Sequence, residues 1–473
     1  MQSMMPNLGP LTPEILMTVL ALLILLADLV IKRKETIALL SCVGAAAIAF
    51  TFGNSQGVTF DGMFISDGYS SFFKILFVLN VILTVLISVK YIGIEKVNFG
   101  EYYALILFSS LGMMIMASAG DLIVLYLGLE LMALSTYILA GFIRYDVKSN
   151  EAAMKYFLLG AFASAFLLYG TSMLYGLTGT TNLKAIAVYI VATGLVGNPF
   201  LTLAMVFIVV AFSFKIAAVP FHMWAPDAYE GAPTSITAFM SVGPKAAGFA
   251  VMGRVLLDGL YPIRPEWSVI LIPIAILTMA VGNIVALSQT NIKRMLAYSS
   301  IAHAGYALLG VIAGSADGLA SVMTYMLIYA FMNIGAFGVI IMLRTEGFKG
   351  DMISDYEGLW YTHPVAASLM IVFMFSLTGI PPTAGFMGKF YLFKSAIDAG
   401  YTWLVIIAVI FSAISAYFYL RVVMYMCMRE PKQTVELSLS PSMSLAMAIT
   451  LFGVIAIGVV PSSVIHLAQI AFQ

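Results

Sequence analysis

Charge is what this chain has least of. Only 10% of its 473 residues are Asp, Glu, Lys or Arg, and the 23 basic residues balance the 23 acidic ones. A chain so poor in charge is no soluble domain. Its zero net charge excludes the basic surface needed to hold nucleic acid. Cysteine is nearly absent: Cys42 and Cys427 both sit in apolar runs, with no metal-ligand spacing, and read as small core hydrophobes. No C-x-x-C cluster is there to hold an iron–sulfur centre. No G-x-G-x-x-G stands between a strand and a helix to hold a dinucleotide. Any redox chemistry therefore belongs to other chains. The first ten residues hold no Lys or Arg, so they lack the basic start of a cleavable signal peptide. Alternating segments of about ten residues, the mark of a membrane barrel, are missing too.

What is present is apolar length. The chain is 62% hydrophobic with a mean hydropathy of +1.01, and its repeated apolar runs predict an all-α polytopic membrane protein. About fourteen transmembrane helices are expected, near 11–31, 36–53, 69–92, 103–118, 121–142, 151–176, 200–222, 234–258, 267–287, 298–314, 317–343, 364–398, 402–427 and 441–466. Segment 183–195 is apolar but short, and is expected either to lie in the interface or to extend the seventh segment. The whole chain reads as one membrane domain: 1–100 holds segments one to three, 101–260 segments four to eight, 261–430 segments nine to thirteen, and 431–473 the last.

Loop charge sets the orientation. Loops after odd-numbered segments carry thirteen basic residues: Lys32, Arg33, Lys34, Lys90, Lys96, Arg144, Lys148, Lys293, Arg294, Arg344, Lys349, Arg429 and Lys432. Loops after even-numbered segments carry three, Lys184, Arg254 and Arg264. Both termini are therefore expected outside, with the basic loops in the cytoplasm.

Seven basic residues remain. Lys74, Lys155, Lys394 and Arg421 lie near enough to helix ends to snorkel. Lys215, Lys245 and Lys389 do not. A charge at the bilayer centre costs about 2.5–3.5 kcal/mol on insertion scales and marks a functional site by default. Lys215 precedes Pro220 in Phe214-Lys215-Ile216-Ala217-Ala218-Val219-Pro220, and Lys389 follows Gly379-Ile380-Pro381-Pro382. Proline removes a helix hydrogen bond, so the seventh and twelfth segments are expected to be broken. Broken membrane helices persist where the freed backbone faces protein or a wet cavity. The two breaks are five segments apart. An odd number inverts one unit relative to the other, so segments 4–8 and 9–13 are expected to be inverted five-helix repeats, the arrangement that places transport sites.

Glu130 is the main acid inside a run, in Leu127-Gly128-Leu129-Glu130-Leu131-Met132. Burial favours the neutral forms of both carboxylate and ammonium, and pairing offsets part of that cost. Glu130 with Lys215 is the expected pair, either a static lock or a switch that frees the lysine proton on separation. His303 is a structural donor or, between Lys245 and Lys389, a relay with a suitable proton affinity. His222, at the mouth of the first break, is equally open. Asp28, Asp121 and Asp258 lie near helix ends, where capping is the default. The stretch Trp224–Thr234 is a structural cap or an access gate.

The run Phe214-Lys215-Ile216-Ala217-Ala218-Val219-Pro220-Phe221-His222-Met223-Trp224-Ala225-Pro226-Asp227 resembles the signature of the antiporter-like subunits of proton-pumping NADH:quinone oxidoreductase, respiratory complex I. So do Glu230-Gly231-Ala232-Pro233-Thr234, Lys293-Arg294-Met295-Leu296-Ala297-Tyr298-Ser299-Ser300-Ile301-Ala302-His303 and Gly379-Ile380-Pro381-Pro382. Length, the opening Leu11-Thr12-Pro13-Glu14-Ile15-Leu16 and a lysine at 389 resemble the N type among them. The resemblance implies a proton relay through Glu130, Lys215, Lys245, His303 and Lys389. It also implies that NADH, FMN, iron–sulfur clusters and quinone sit in other subunits. The partners it implies are an adjacent antiporter-like M subunit, the small K and J subunits and the lipid of a bacterial inner membrane. A multisubunit sodium/proton antiporter or a membrane-bound hydrogenase shares these motifs and is the rival expectation; an inert scaffold is the other.

Overall fold

The computed structural model describes residues 6–431 and 436–472, so Lys432, counted among the basic loop residues, lies outside the described residues. Nineteen helices are described: α1 (Thr12–Val30), α2 (Lys34–Ala49), α3 (Gly68–Ile94), α4 (Gly100–Ala117), α5 (Leu122–Ala140), α6 (Val147–Thr178), α7 (Leu183–Thr193), α8 (Pro199–Lys215), α9 (Trp224–Gly231), α10 (Thr234–Gly253), α11 (Arg264–Leu287), α12 (Ile292–Ala313), α13 (Ala316–Met342), α14 (Leu359–Thr362), α15 (Pro364–Thr378), α16 (Ala384–Asp398), α17 (Thr402–Met428), α18 (Pro441–Val459) and α19 (Ser462–Phe472). Between α2 and α3 a short antiparallel hairpin pairs β1 (Gly57–Thr59) with β2 (Phe64–Ser66).

Polar side chains start the helices where the first amides would otherwise be bare. Asp67 caps α3 by accepting from the Ser70 amide, Asp121 caps α5, Asn291 caps α12 and Ser315 caps α13. Proline opens α8, α15 and α18, where no donor is lost.

Eleven of the described helices are long and apolar enough to cross a membrane. The seventh, eighth and twelfth expected segments are not among them, for three physical reasons. The seventh stops at Lys215. The twelfth is split into α15 and α16 around Gly379–Thr383. The eighth, α10, carries Thr234, Ser235, Thr237, Ser241 and Lys245 and is buried along its whole length, so no lipid-facing stripe is needed. Two further expectations change. The last segment is interrupted at Pro461 and becomes α18 and α19, and 183–195 forms its own helix, α7. The tenth begins six residues early, which puts Lys293 inside α12 rather than in a loop. Both cysteines are half-buried rather than core.

Helices α3, α4, α10 and α13 pack against one another at the centre, while α1, α2, α6, α11 and α17 carry the exposed apolar faces. Two regions are built alike. The α4–α5 crossing is so tight that a Cβ on Gly112 would strike the Gly128 carbonyl and the Met132 amide. At the α11–α12 crossing, each position 170 residues on, a Cβ on Gly282 would strike the Tyr298 carbonyl and the Ala302 amide. Asp121 bridges to Asn182, and 170 residues on, Asn291 bridges to Met352. The flanking hydrogen bonds repeat as well: Leu122 N–H to Thr181 O corresponds to Ile292 N–H to Asp351 O.

Candidate functional site

The first break is a non-helical turn that keeps its backbone partners. After Lys215, the last residue of α8, the Ala217 amide donates to Phe214 O and the Ala218 amide to Ser213 O. The Val219 amide donates to Thr278 Oγ1 of α11 at 2.9 Å, and Trp224 Nε1 donates to Phe214 O at 2.9 Å. Ala217 sits at φ +58°, a left-handed conformation that L residues seldom adopt. Lys215 is 3% exposed. Its ammonium makes one long hydrogen bond, 3.5 Å to Tyr137 OH, and lies 5.7 Å from the ring centroids of Tyr137 and Phe214.

Glu130 does not reach it. The expected direct ion pair is corrected: Glu130 lies half-buried on α5 and accepts a short hydrogen bond from Ser164 Oγ of α6, with no lysine among the described residues within ion-pair distance. Tyr137, two turns along α5 from Glu130, is the α5 side chain that does reach Lys215. A tyrosine hydroxyl thus occupies the place expected for a carboxylate. Nothing in the apolar run around Tyr137 distinguishes it from a core aromatic; only its seven-residue spacing from Glu130, two helical turns, puts both on one face.

Lys245, 2% exposed on α10, donates to Ser300 O at 2.7 Å and to Ser300 Oγ at 2.5 Å. Ser300 lies one turn before His303 on α12. His303 is buried between two tyrosines, Nδ1 2.5 Å from Tyr325 OH and Nε2 3.1 Å from Tyr419 OH. Tyr419 in turn bonds Ser299 Oγ. Both His303 ring nitrogens therefore have hydroxyl partners that can donate or accept, which suits a tautomer exchange. Tyr306, one turn further, accepts from Asn283 at 3.0 Å, and its ring centroid lies 5.0 Å from the Lys389 ammonium.

Lys389, 5% exposed on α16, caps the second break. Its ammonium donates to Leu377 O at 3.2 Å, Thr378 O at 2.7 Å and Ser412 Oγ at 2.9 Å. Cation and α15 C-terminal carbonyls are a favourable match. Gly379, at φ +90°, lies under the lysine chain, so the left-handed turn and the close approach both require it. Each break also contains a cis peptide bond, at Val219–Pro220 and Pro381–Pro382.

Lys215, Lys245, His303 and Lys389 are thus all brought into the interior; Lys245 bonds Ser300 one turn from His303, and Lys389 lies beside the Tyr306 ring one turn beyond it. Glu130 stands apart from the lysines. His222 is half-buried at the first break, its Nδ1 without a hydrogen-bond partner. The stretch after it is the short helix α9. Lys155 and Arg294 pair with Asp227 at 2.6 and 2.7 Å, and Lys148 and Arg294 pair with Glu230 at 2.8 and 2.9 Å. Lys293, buried, donates to Glu230 O and Ala232 O. These pairs hold the carboxyl groups of Asp227 and Glu230 below the usual carboxylate range, although desolvation works the other way. Among the described residues no group of three or more His, Cys, Asp or Glu is placed to hold a metal.

A family model described as "NADH:quinone oxidoreductase/Mrp antiporter, TM" matches residues 119–415. NADH-quinone oxidoreductase subunit N 2 of Rhizobium meliloti is 51% identical over 462 residues, covering 97% of this chain and 96% of that protein. A chain of respiratory complex I from Thermus thermophilus superposes with a TM-score of 0.82 at 32% identity, covering 97% of this chain and all of that one. A chain of the Mrp complex from a Dietzia species superposes with a TM-score of 0.81 at 20% identity, covering 98% and 96%, a likeness of fold alone.

Proposed function

This chain belongs to the NADH:quinone oxidoreductase/Mrp antiporter family, and we propose that it is the proton-translocating N-type membrane subunit of a bacterial NADH-quinone oxidoreductase. The observation that carries this reading is the line of buried proton-holding groups from Lys245 through Ser300, His303 and its two tyrosines to Tyr306 and Lys389. Among the described residues no carboxylate lies within ion-pair reach of its lysines. A buried ammonium without a paired carboxylate is a proton held against a desolvation cost, and that cost favours its release once an acceptor is offered.

Protons enter from the cytoplasmic side past the first break and load Lys215, beside Tyr137, with Glu130 two turns away on the same face of α5. They continue through Lys245 and His303, and leave outward at the second break through Lys389. Electron transfer from NADH to quinone through flavin and iron–sulfur centres takes place in other subunits and supplies the energy. The neighbours are membrane-arm subunits: an adjacent antiporter-like M subunit and the small K and J subunits. Both termini lie on the periplasmic side of the inner membrane, in keeping with the loop charges. Residues 101–260 and 261–430 are two inverted five-helix units, a reading supported by the matched bridges at Asp121–Asn182 and Asn291–Met352.

Replacing Lys215 by Ala in the assembled complex, reconstituted in vesicles, abolishes or greatly reduces quinone-coupled proton uptake while the complex still assembles; normal pumping would sink the reading. The sodium/proton antiporter alternative is disfavoured because the Dietzia likeness is one of fold, whereas a relative named as subunit N shares half of all positions.

A further inference from the structure

A second pair of buried charges lies outside this line, and the relay just described does not use it. Glu14 near the start of α1 is 3% exposed and Lys74 on α3 is fully buried, not snorkelling as its place near a helix end led one to expect. The Lys74 ammonium stands 2.8 Å from Glu14 Oε1. The bridge is incomplete. The ammonium is the partner of Oε1 alone; Oε2 is buried with no hydrogen bond in good geometry, and the other bond the ammonium makes is a long one, 3.4 Å to Ser66 Oγ. A bridge that serves only to lock two helices has its remaining lone pairs and protons satisfied. Orphaned polar atoms in a buried polar site are where ordered water binds.

Polar groups continue from the pair in both directions. Outward, the hairpin register places Thr59, Phe64 and Ser66 on one buried face, and the Phe64 ring lies 5.4 Å from the Lys74 ammonium. Thr59 Oγ1 is buried without a partner. Beside Ser66, Asp67 pairs with Arg254 at 2.6 Å and is 38% exposed, which brings the polar groups to the surface. Inward, Asn80 lies six residues along α3, about 9 Å at helical rise. It is fully buried, donates to Phe239 O of α10 at 3.3 Å, and its Oδ1 has no partner. From the other side of α10, Asn333 donates to Ser241 Oγ, and its Oδ1 is orphaned as well. Ser241 is one turn from Lys245.

We propose that Glu14 and Lys74 form a further proton-holding station, joined to α10 by a water-lined branch at Asn80 and opening outward beneath the hairpin. A proton arriving through water at Asn80 forms an O–H bond on the Glu14 carboxylate and leaves Lys74 as an ammonium. Loss of that proton to water under the hairpin restores the bridge, and no electron moves. The inference rests on the lysine-line reading above. Its test is the complex carrying Glu14→Gln together with Lys74→Met, reconstituted in liposomes, with assembly, NADH oxidation and protons moved per NADH all measured. Removing both partners leaves no uncompensated charge, so assembly is expected, with fewer protons per NADH. An unchanged ratio overturns the station and makes the pair a structural tie. Should the double variant not assemble, Asn80→Leu, which spares the pair and blocks the branch, decides in the same assay: a lowered ratio supports the branch, an unchanged one overturns it. Lys215→Ala run alongside separates the two readings. Normal pumping there removes the lysine line itself, whereas lost pumping there with an unchanged ratio in the Glu14→Gln/Lys74→Met complex removes the branch alone.

Discussion

The two helix breaks carry the same elements, a lysine, a proline and a left-handed residue, yet they hold their lysines in opposite ways. At the second, Lys389 is itself the cap, with three acceptors between 2.7 and 3.2 Å. At the first, the freed backbone is served by Thr278, Trp224 and the turn itself, and Lys215 is left with one 3.5 Å bond and two aromatic rings. One lysine is part of the scaffold; the other is held by little more than one long hydrogen bond. The same motif therefore builds a braced lysine at one break and a loosely held one at the other.

The comparison breaks most sharply if the two lysines are replaced alike. Lys389→Met leaves two buried carbonyls unsatisfied and is expected to cost about 3 kcal/mol of stability. Lys215→Met is expected to cost less than about 1 kcal/mol, since a single long bond is lost. Thermal unfolding of the purified complex reads the difference, and equal shifts would refute the contrast. The left-handed residues should respond with opposite signs. Gly379→Ala strains a φ of +90° and crowds the Lys389 chain, a loss of about 2 kcal/mol. Ala217→Gly relaxes a φ of +58°, a gain of about 1 kcal/mol. Tyr137→Phe removes the one hydrogen bond to Lys215 and is expected to slow proton uptake while moving the unfolding midpoint by less than about 1 kcal/mol equivalent. The smallest effect concerns α9. Its Asp227 and Glu230 carboxyls are held below their usual range, so the stability they lend is complete above about pH 4.5 and is lost as pH falls through the depressed folded values. Asp227→Asn should flatten that acid limb in a pH series of unfolding midpoints.

Much of this was legible before any coordinates. A lysine in an apolar run and a proline five residues on are anomalies that packing cannot excuse, which is why Lys215, Lys245 and Lys389 stood out and both breaks were found. Hydroxyl partners were not legible. Tyr137, Tyr325, Tyr419 and Ser300 look like ordinary members of apolar helices; Tyr137 finds its role only beside Lys215 of α8, and the others only where α12 packs against α10, α13 and α17. The Glu130–Lys215 pairing went wrong for a related reason: composition names the charges but not the tyrosine between them. Lys74 was misread because sequence distance from a helix end says nothing about whether Glu14 waits on the next helix. The division of the last segment at Pro461 was written in a residue that can end a helix or sit in its first turn.

One feature of α12 reaches further than its contacts. Lys293 and Arg294 grip α9 at one end of this helix, and Ser300 and His303 serve the buried line about 10–15 Å further along the same rigid axis. The ion pairs that hold α9 and the proposed relay are thus cut on a single shaft, so that any change that shifts α12 at its α9 end is carried along the same axis to Ser300 and His303.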